Sequence, residues 1–183
     1  MLVLIVGPSG VGKDTLILAA RDQLANDHRF RFVRRVITRP PGMIAEEYDS
    51  VLPQEFELRR DSGGFALAWR AHGLHYGIPA DISLDIAQGR TCIANVSRAI
   101  VADAASRFPV RVIEISAPAD LIARRLAARG RDDAVDIARR LARQIELPLP
   151  VEREVVVNDG TVAEGARRLI AALNRAAADV APA

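Results

Sequence analysis

The chain has 183 residues, half of them apolar, which is enough for a single domain with a sizeable core. Its 25 basic and 23 acidic residues leave a formal net charge of +2 with few aromatics, which argues against nucleic-acid binding. Without a long apolar run, a charged N-terminal leader or a second cysteine beside Cys92, the sequence favours a cytoplasmic enzyme without membrane spans or intramolecular disulfides.

The first predicted elements are a strand at Leu2–Val6, a glycine-rich loop and a helix at Asp14–Ala25. Lys13 is the only lysine among the 25 basic residues, and it ends the run Gly-Pro-Ser-Gly-Val-Gly-Lys. Such a loop turns backbone N–H groups inward around a polyphosphate, and the helix N-terminus adds positive charge. An ordinary strand-to-helix turn is the alternative. The predicted ATP-binding residues are Gly7, Pro8, Ser9, Gly10, Val11, Gly12, Lys13, Asp14 and Thr15.

Further along the chain, strand-like and helical patterns alternate, which predicts a parallel sheet covered by helices on both faces. In such sheets ligands bind at the carboxyl ends of strands. Residues 39–80 interrupt the alternation and are predicted to form a small insert, so that the core comprises 1–38 and 81–178 of one domain. The predicted strands are Leu2–Val6, Phe32–Ile37, Thr91–Val96, Val110–Ile115 and Glu154–Val157. The predicted helices are Asp14–Ala25, Ile82–Gln88, Arg98–Arg107, Ala119–Ala128, Ala134–Gln144 and Val162–Ala178.

Cations and hydroxyls follow the second predicted strand and continue into the insert. Arg35, Thr38 and Arg39 stand near the strand's carboxyl end, and the insert holds the two tyrosines, Tyr48 and Tyr76. Guanidinium groups hold phosphate in a bidentate fashion, and phenol hydroxyls bind its oxygens. These residues predict an anionic acceptor, with a solvated basic edge and ordinary tyrosine packing as the alternatives. His72 and His75 could line the same site.

A second arginine cluster lies on a helix, a glycine break and a further helix at about residues 125–140. This arrangement is typical of a hinged lid, and Arg125, Arg129 and Arg140 are predicted to close over the transferring phosphoryl group and neutralise its charge. A solvated helix face is the alternative. Asn158, after the last strand, is either an ordinary turn residue or a contact to the ATP base or the glycine-rich loop.

Taken in order, these motifs resemble guanylate-kinase-like P-loop kinases over nearly the whole chain, which implies a three-layer P-loop fold. The shared pieces are the glycine-rich loop, Thr38-Arg39-Pro40, Tyr48 with Phe56, Gly73-Leu74-His75-Tyr76-Gly77 and Arg125-Leu126-Ala127-Ala128-Arg129-Gly130. The departures concern the acceptor. Leu67 stands where guanine-reading enzymes carry an acidic residue, Gly42 replaces a second phosphate-binding arginine and Arg35 replaces a serine.

With Lys13-Asp14, Phe65-Ala66-Leu67-Ala68-Trp69 and Asn95-Val96-Ser97-Arg98, the pattern is similar to the ribose 1,5-bisphosphate phosphokinase family. The resemblance implies ATP-dependent formation of 5-phosphoribosyl 1-diphosphate in phosphonate degradation, with Mg²⁺ and no general base. Asp14 then binds the metal or simply suits a helix's first turn. The implied acceptor-binding residues are Arg35, Thr38, Arg39, Tyr48, Tyr76, Asn95 and Arg98. Guanylate kinase and a non-catalytic guanylate-kinase-like interaction module are the alternative functions.

Overall fold

A parallel five-stranded sheet forms the centre of the protein. The computed structural model describes residues 1–40, 48–128 and 151–179. All strands are numbered in chain order, and β3 to β6 belong to a second sheet. The strands of the central sheet are β1 (Leu2–Val6), β2 (Phe30–Phe32), β7 (Thr91–Asn95), β8 (Val110–Ser116) and β9 (Arg153–Val157). They lie in the order β2-β7-β1-β8-β9, and every pair is parallel. All five residues of β1 are buried, as expected for the middle strand of a sheet covered on both faces.

Helices cover both faces of this sheet. The helices are α1 (Lys13–Gln23), α2 (Pro53–Asp61), α3 (Ile82–Ala87), α4 (Val101–Arg107), α5 (Ala119–Ala128) and α6 (Val162–Ala178), with a 3-10 turn at Arg98–Ile100. Apolar residues of α1, α5 and α6 pack in one cluster with Val3 and Ile5. Those of α3 and α4 pack in a second cluster with Leu2 and Leu4, on the opposite face. The predicted three-layer α/β fold is therefore confirmed.

A second sheet of four strands packs beside the first. Its strands are β3 (Arg35–Ile37), β4 (Tyr48–Ser50), β5 (Phe65–Ala71) and β6 (Leu74–Pro79), in the order β4-β3-β6-β5. The predicted single strand Phe32–Ile37 is wrong, because Phe30–Phe32 pairs with β7 whereas Arg35–Ile37 pairs with β4 and β6. The two halves follow each other in one continuous β-like pattern. The alternation of side chains in that pattern does not reveal that the halves pair with strands of different sheets.

Several predictions fall outside the described residues. These are the helix Ala134–Gln144, most of the lid, and the residues Gly42, Arg129 and Arg140. The helix α2 was absent from the prediction, because Phe56 is its one buried residue and its sequence therefore has little apolar periodicity. No helix in the described ranges is long and apolar enough to cross a bilayer.

Candidate active site

The loop between β1 and α1 is held tightly between neighbouring strands. Gly7, Gly10 and Gly12 have φ values of 148°, 84° and 95°, which side-chain-bearing residues rarely adopt. A Cβ atom on Gly7 would lie 2.4 Å from the Ile115 carbonyl oxygen, and one on Gly12 would lie 2.6 Å from Asn158 Nδ2. The glycines are therefore required both by backbone conformation and by close packing.

This loop folds around its own lysine. The Nζ atom of Lys13 donates to the Gly7 carbonyl oxygen at 2.8 Å and to the Pro8 carbonyl oxygen at 3.0 Å. Because Lys13 is also the first residue of α1, its ammonium lies close to the positive end of the helix dipole. The loop and the lysine together form a concentrated positive site of the kind that holds phosphate.

Asn158 and Arg125 fasten the loop to the end of the sheet. The buried Asn158 donates from Nδ2 to the Val11 carbonyl oxygen at 2.7 Å, and its backbone N–H donates to Ser116. Arg125 Nη1 donates to the carbonyl oxygens of Val11 and Asn158, both at 3.2 Å. The loop contact of Asn158 matches one of its predicted alternatives. The predicted role of Arg125 in phosphoryl transfer stays a prediction, because its guanidinium lies on the loop backbone.

A cavity of about 330 Å³ joins the loop to the second sheet. It collects residues from three parts of the chain, the loop, the second sheet and the carboxyl end of β7. Four of its side chains are cationic, namely Lys13, Arg35, Arg39 and Arg98, and the one carboxylate among its lining residues in the described ranges is Asp14. The remaining lining residues are Gly7, Pro8, Ser9, Trp69, Ala71, His72, Tyr76, Asn95, Val96 and Ser97. Such an excess of positive charge suits a ligand with several phosphates.

Tyr76 is the centre of the wall that the second sheet contributes. Its ring stacks on Trp69 with 5.3 Å between centroids, and the Arg35 guanidinium carbon lies 5.6 Å from the Tyr76 ring centroid. Arg39 Nη2 donates to the Tyr76 hydroxyl at 3.4 Å. Burial lowers the pKa of Arg35, with the nearby Asp14 acting in the opposite direction, and an arginine remains charged under such conditions. The packed rings therefore hold two cations in place.

Asp14 and Asn95 connect the loop to β7. Asn95 Nδ2 donates to Asp14 Oδ1 at 2.6 Å. Within the described ranges no group of three His, Cys, Asp or Glu residues is arranged to hold a metal ion. A cation at this site would therefore share Asp14 with ligand oxygens, which is the manner in which Mg²⁺ is usually bound beside phosphates.

Several predicted site residues in the described ranges do not line this cavity. The Thr38 hydroxyl accepts from the His75 backbone N–H at 2.9 Å, and the Tyr48 hydroxyl donates to the Pro40 carbonyl oxygen at 2.7 Å. Neither side chain lines the cavity formed by the described residues, and the same is true of Gly10, Val11, Gly12 and Thr15. His75 instead pairs with Glu57, with 2.7 Å between Nδ1 and Oε1. Their predicted contacts to ligands stay predictions.

The structure also adds residues that the sequence analysis did not select. The cavity is also lined by Trp69, Ala71, Val96 and Ser97. Trp69 could have been selected from the sequence, because it is the only tryptophan of the chain. Leu67, by contrast, is fully buried among apolar residues of the cluster that contains Leu2 and Ile82, and it does not line this cavity. The wall that β5 and β6 contribute to the cavity therefore contains Trp69 and Tyr76 and not position 67.

Comparisons with known proteins identify close relatives of the chain. The chain is 50% identical over 165 residues to the ribose 1,5-bisphosphate phosphokinase PhnN of Acidiphilium cryptum, covering 90% of this chain and 87% of that protein. It is 45% identical over 173 residues to the protein of the same name from Methylobacterium radiotolerans, covering 94% and 96%. No protein-family model matches.

Solved structures support the fold alone. A guanylate kinase from Anaplasma phagocytophilum superposes with a TM-score of 0.66 at 19% identity, covering 96% of this chain and 85% of that one. A gluconokinase from Sinorhizobium meliloti has a TM-score of 0.52 at 16% identity, covering 97% and 94%. Since relatives at 45–50% identity span nearly the whole chain, the chain belongs to the ribose 1,5-bisphosphate phosphokinase family of P-loop kinases.

Proposed function

We propose that this protein transfers the γ-phosphoryl group of ATP to the 1-phosphate of ribose 1,5-bisphosphate, forming ADP and 5-phosphoribosyl 1-diphosphate. The observation that carries the proposal is the cavity that joins Lys13 to Arg35, Arg39 and Arg98. An acceptor with two phosphates brings three to four negative charges into this site, since each phosphate carries about −1.5 to −2 at neutral pH. The activity named for the relatives and the charge of the cavity therefore support the same substrate class.

The reaction joins two phosphates and needs little help from a base. An oxygen of the acceptor's 1-phosphate forms a bond to the γ-phosphorus of ATP, while the bond between that phosphorus and the β,γ-bridging oxygen breaks and ADP leaves. The attacking oxygen is already ionised at neutral pH, because the second pKa of a phosphate monoester is about 6. Catalysis then consists of alignment of the two anions and neutralisation of their charge.

The site residues divide between the two substrates. Lys13 and the backbone N–H groups of the loop hold the β- and γ-phosphates, and Asn158 keeps the loop in shape. Arg35, Arg39 and Tyr76 of the second sheet region bind the acceptor together with Asn95 and Arg98, which lie at and after the carboxyl end of β7. Within the same proposal, Thr15, Thr38 and Tyr48 contact substrate only after a closing movement, and Arg125, Arg129 and Arg140 neutralise charge from the lid.

A divalent cation, which we propose to be Mg²⁺, fits beside Asp14. This carboxylate lies next to Lys13 and borders the cavity, so it can bind a cation directly or through water. When bound, the metal supplies further charge neutralisation on the ATP phosphates. Asn95 keeps one Asp14 oxygen in place through its 2.6 Å hydrogen bond.

The test is a product assay with matched concentrations of ribose 1,5-bisphosphate and GMP. We expect ADP release and a mass-identified diphosphate product with ribose 1,5-bisphosphate, and turnover with GMP lower by roughly ten- to a hundredfold. A guanine edge needs hydrogen-bond acceptors, whereas the one carboxylate among the described lining residues stands at the loop. Faster turnover with GMP would replace this proposal with guanylate kinase activity, and no turnover with either acceptor would favour a non-catalytic module.

The physiological part of the proposal concerns the product. We place the reaction in phosphonate degradation, where the resemblance puts this family, and the name PhnN of the relatives is consistent with that role. The corresponding measurement is growth on a phosphonate as the sole phosphorus source after deletion of the gene, compared with growth on inorganic phosphate.

A further inference from the structure

The face of the central sheet that carries Leu2, Leu4 and Val6 of the second apolar cluster also carries a carboxylate, Glu114. Glu114 lies on β8, where its register partner on β1 is Val6, and it shares its face with Val112. The side chain of Glu114 is only 15% exposed. A carboxylate this far from water is unfavourable unless charged or hydrogen-bonding partners surround it.

Two arginines surround Glu114, and they differ in where they lie. Arg98 pairs through Nη2 with Glu114 Oε1, and Arg98 lines the cavity with a side chain that is 15% exposed. Arg153 pairs through Nη1 with Glu114 Oε2 at 3.1 Å, and its side chain is 50% exposed. One carboxylate is thus shared between a cation at the cavity and a cation at the edge strand.

Arg98 retains binding capacity in this arrangement. Its Nε atom is buried and has no hydrogen-bond partner in the described part of the chain. A buried N–H without a partner is unfavourable, whereas a phosphate oxygen is the acceptor that such a guanidinium edge binds well. Glu114 pairs with the Nη2 atom of this guanidinium, and Arg98 also lines the cavity, where a phosphate can approach it.

A contribution to the stability of the fold does not by itself explain why the pair of Arg98 and Glu114 is so little exposed. Removing two charges from water offsets much of their attraction, and apolar pairs of similar volume are often as stable. A fixed guanidinium, by contrast, loses little conformational entropy when an anion binds, which favours affinity. An orienting role accounts for both the burial of the pair and its position beside the cavity.

We infer that Glu114 is a positioning residue that holds the Arg98 guanidinium at the cavity, where it binds a phosphate of the acceptor. This inference rests on the proposed function and adds to it a specificity-determining pair. Glu114 does not touch the substrate. It acts through Arg98, so its removal weakens acceptor binding and leaves ATP binding unchanged.

The experiment measures the dissociation constants of ribose 1,5-bisphosphate and of ATP by calorimetry, with thermal unfolding in parallel. Glu114→Gln is expected to weaken acceptor binding about tenfold while ATP binding stays within twofold. Glu114→Asp keeps the charge but shortens the side chain, and it serves as a second variant in case Glu114→Gln does not fold. It is expected to weaken acceptor binding severalfold. The matched control Arg153→Ala removes the exposed partner and should leave both constants unchanged.

A double-mutant comparison separates positioning from general support of the fold. In an Arg98→Ala background, where Glu114 still pairs with Arg153, Glu114→Gln should change acceptor binding less than twofold. Full additivity, or unchanged acceptor binding in both Glu114 variants, would overturn the inference while the proposed function stands. Equal losses for ATP and acceptor would assign Glu114 a merely structural role. A wild-type protein that does not bind ribose 1,5-bisphosphate would overturn the proposed function and this inference with it.

Discussion

Position 67 offers the sharpest test of the reasoning about acceptor choice. Leu67 has 0% exposure and packs in the cluster that contains Leu2, Ile78 and Ile82. In Leu67→Glu, the lost apolar burial costs about 1.5–3 kcal/mol. Burying an unpaired neutral carboxyl adds about 1–3 kcal/mol. The variant is therefore expected to lose roughly 2.5–6 kcal/mol, or about 5–24 °C in Tm for a domain of this size.

The loss should depend on pH with a defined sign. Burial disfavours the charged form, so the pKa of the introduced glutamate rises above its ordinary value of about 4.3. Below the pKa of this glutamate in the unfolded chain, ionisation adds nothing to the loss of stability. As the pH rises from there toward the folded-state pKa, the free energy of unfolding falls further, by about 1.4 kcal/mol for each pH unit. The difference in Tm between variant and wild type should therefore be larger at pH 8 than at pH 5.

The assay is thermal unfolding of Leu67→Glu and of the volume-conserving control Leu67→Met at both pH values, with GMP turnover measured below the melting range. The methionine control is expected to lose less than about 1.5 kcal/mol. A Leu67→Glu protein that melts with the wild type and gains GMP turnover would refute the reasoning, because it would mean that position 67 faces the acceptor.

The remaining predictions concern the glycine-rich loop and His72, which lies in the turn between β5 and β6. Lys13→Ala should abolish ADP release and lower Tm only slightly, because the loop keeps its glycines but loses the point charge on the phosphates and two hydrogen bonds from Nζ. Asn158→Ala should lose about 1 kcal/mol in thermal unfolding and raise the KM for ATP, because the hydrogen bond to Val11 holds the loop. His72→Asn should keep or gain stability, because φ at this position is 51° and asparagine tolerates that region, while the acceptor KM rises.

Each of these predictions has a contradicting result. Near-normal turnover by folded Lys13→Ala would exclude the kinase mechanism. The control for Asn158 is Asp159→Ala, at an exposed carboxylate that pairs with Arg168, and an equal rise of the ATP KM in both variants would show that the loop contact is not responsible. Unchanged acceptor kinetics in His72→Asn would remove His72 from the acceptor site.

The glycine-rich loop was predictable because its determinants are local. Three glycines in positive-φ conformations, a preceding apolar strand and a following helix all lie within about 20 consecutive residues. Each can be inferred from residue type and spacing without knowledge of distant contacts. The same holds for the alternating strands and helices, whose burial follows from their patterns.

The second sheet and the cavity wall were less predictable because their partners are far apart in sequence. Arg35–Ile37 continues the apolar alternation of Phe30–Phe32, yet it pairs with β6, about 40 residues later. Leu67 and Trp69 share one face of β5, and the alternation cannot tell which of them borders the cavity and which lies in the core. The comparison with guanine-reading enzymes therefore pointed to the right strand, but the side chain of that strand that lines the cavity is Trp69 and not Leu67.

The amino-acid sequence by itself determined the P-loop, the class of fold and the dominance of arginine among the basic residues, since these follow from local conformational preference and composition. Only the tertiary structure decided that Asn158 fastens the loop, that Tyr76 stacks on Trp69 and contacts Arg35 and Arg39, and that Glu114 pairs with Arg98. These contacts join residues from separate strands, and their geometry depends on which strands become neighbours in the sheets. Side-chain pairs of this kind exist only after the sheets have assembled, so no local pattern contains them.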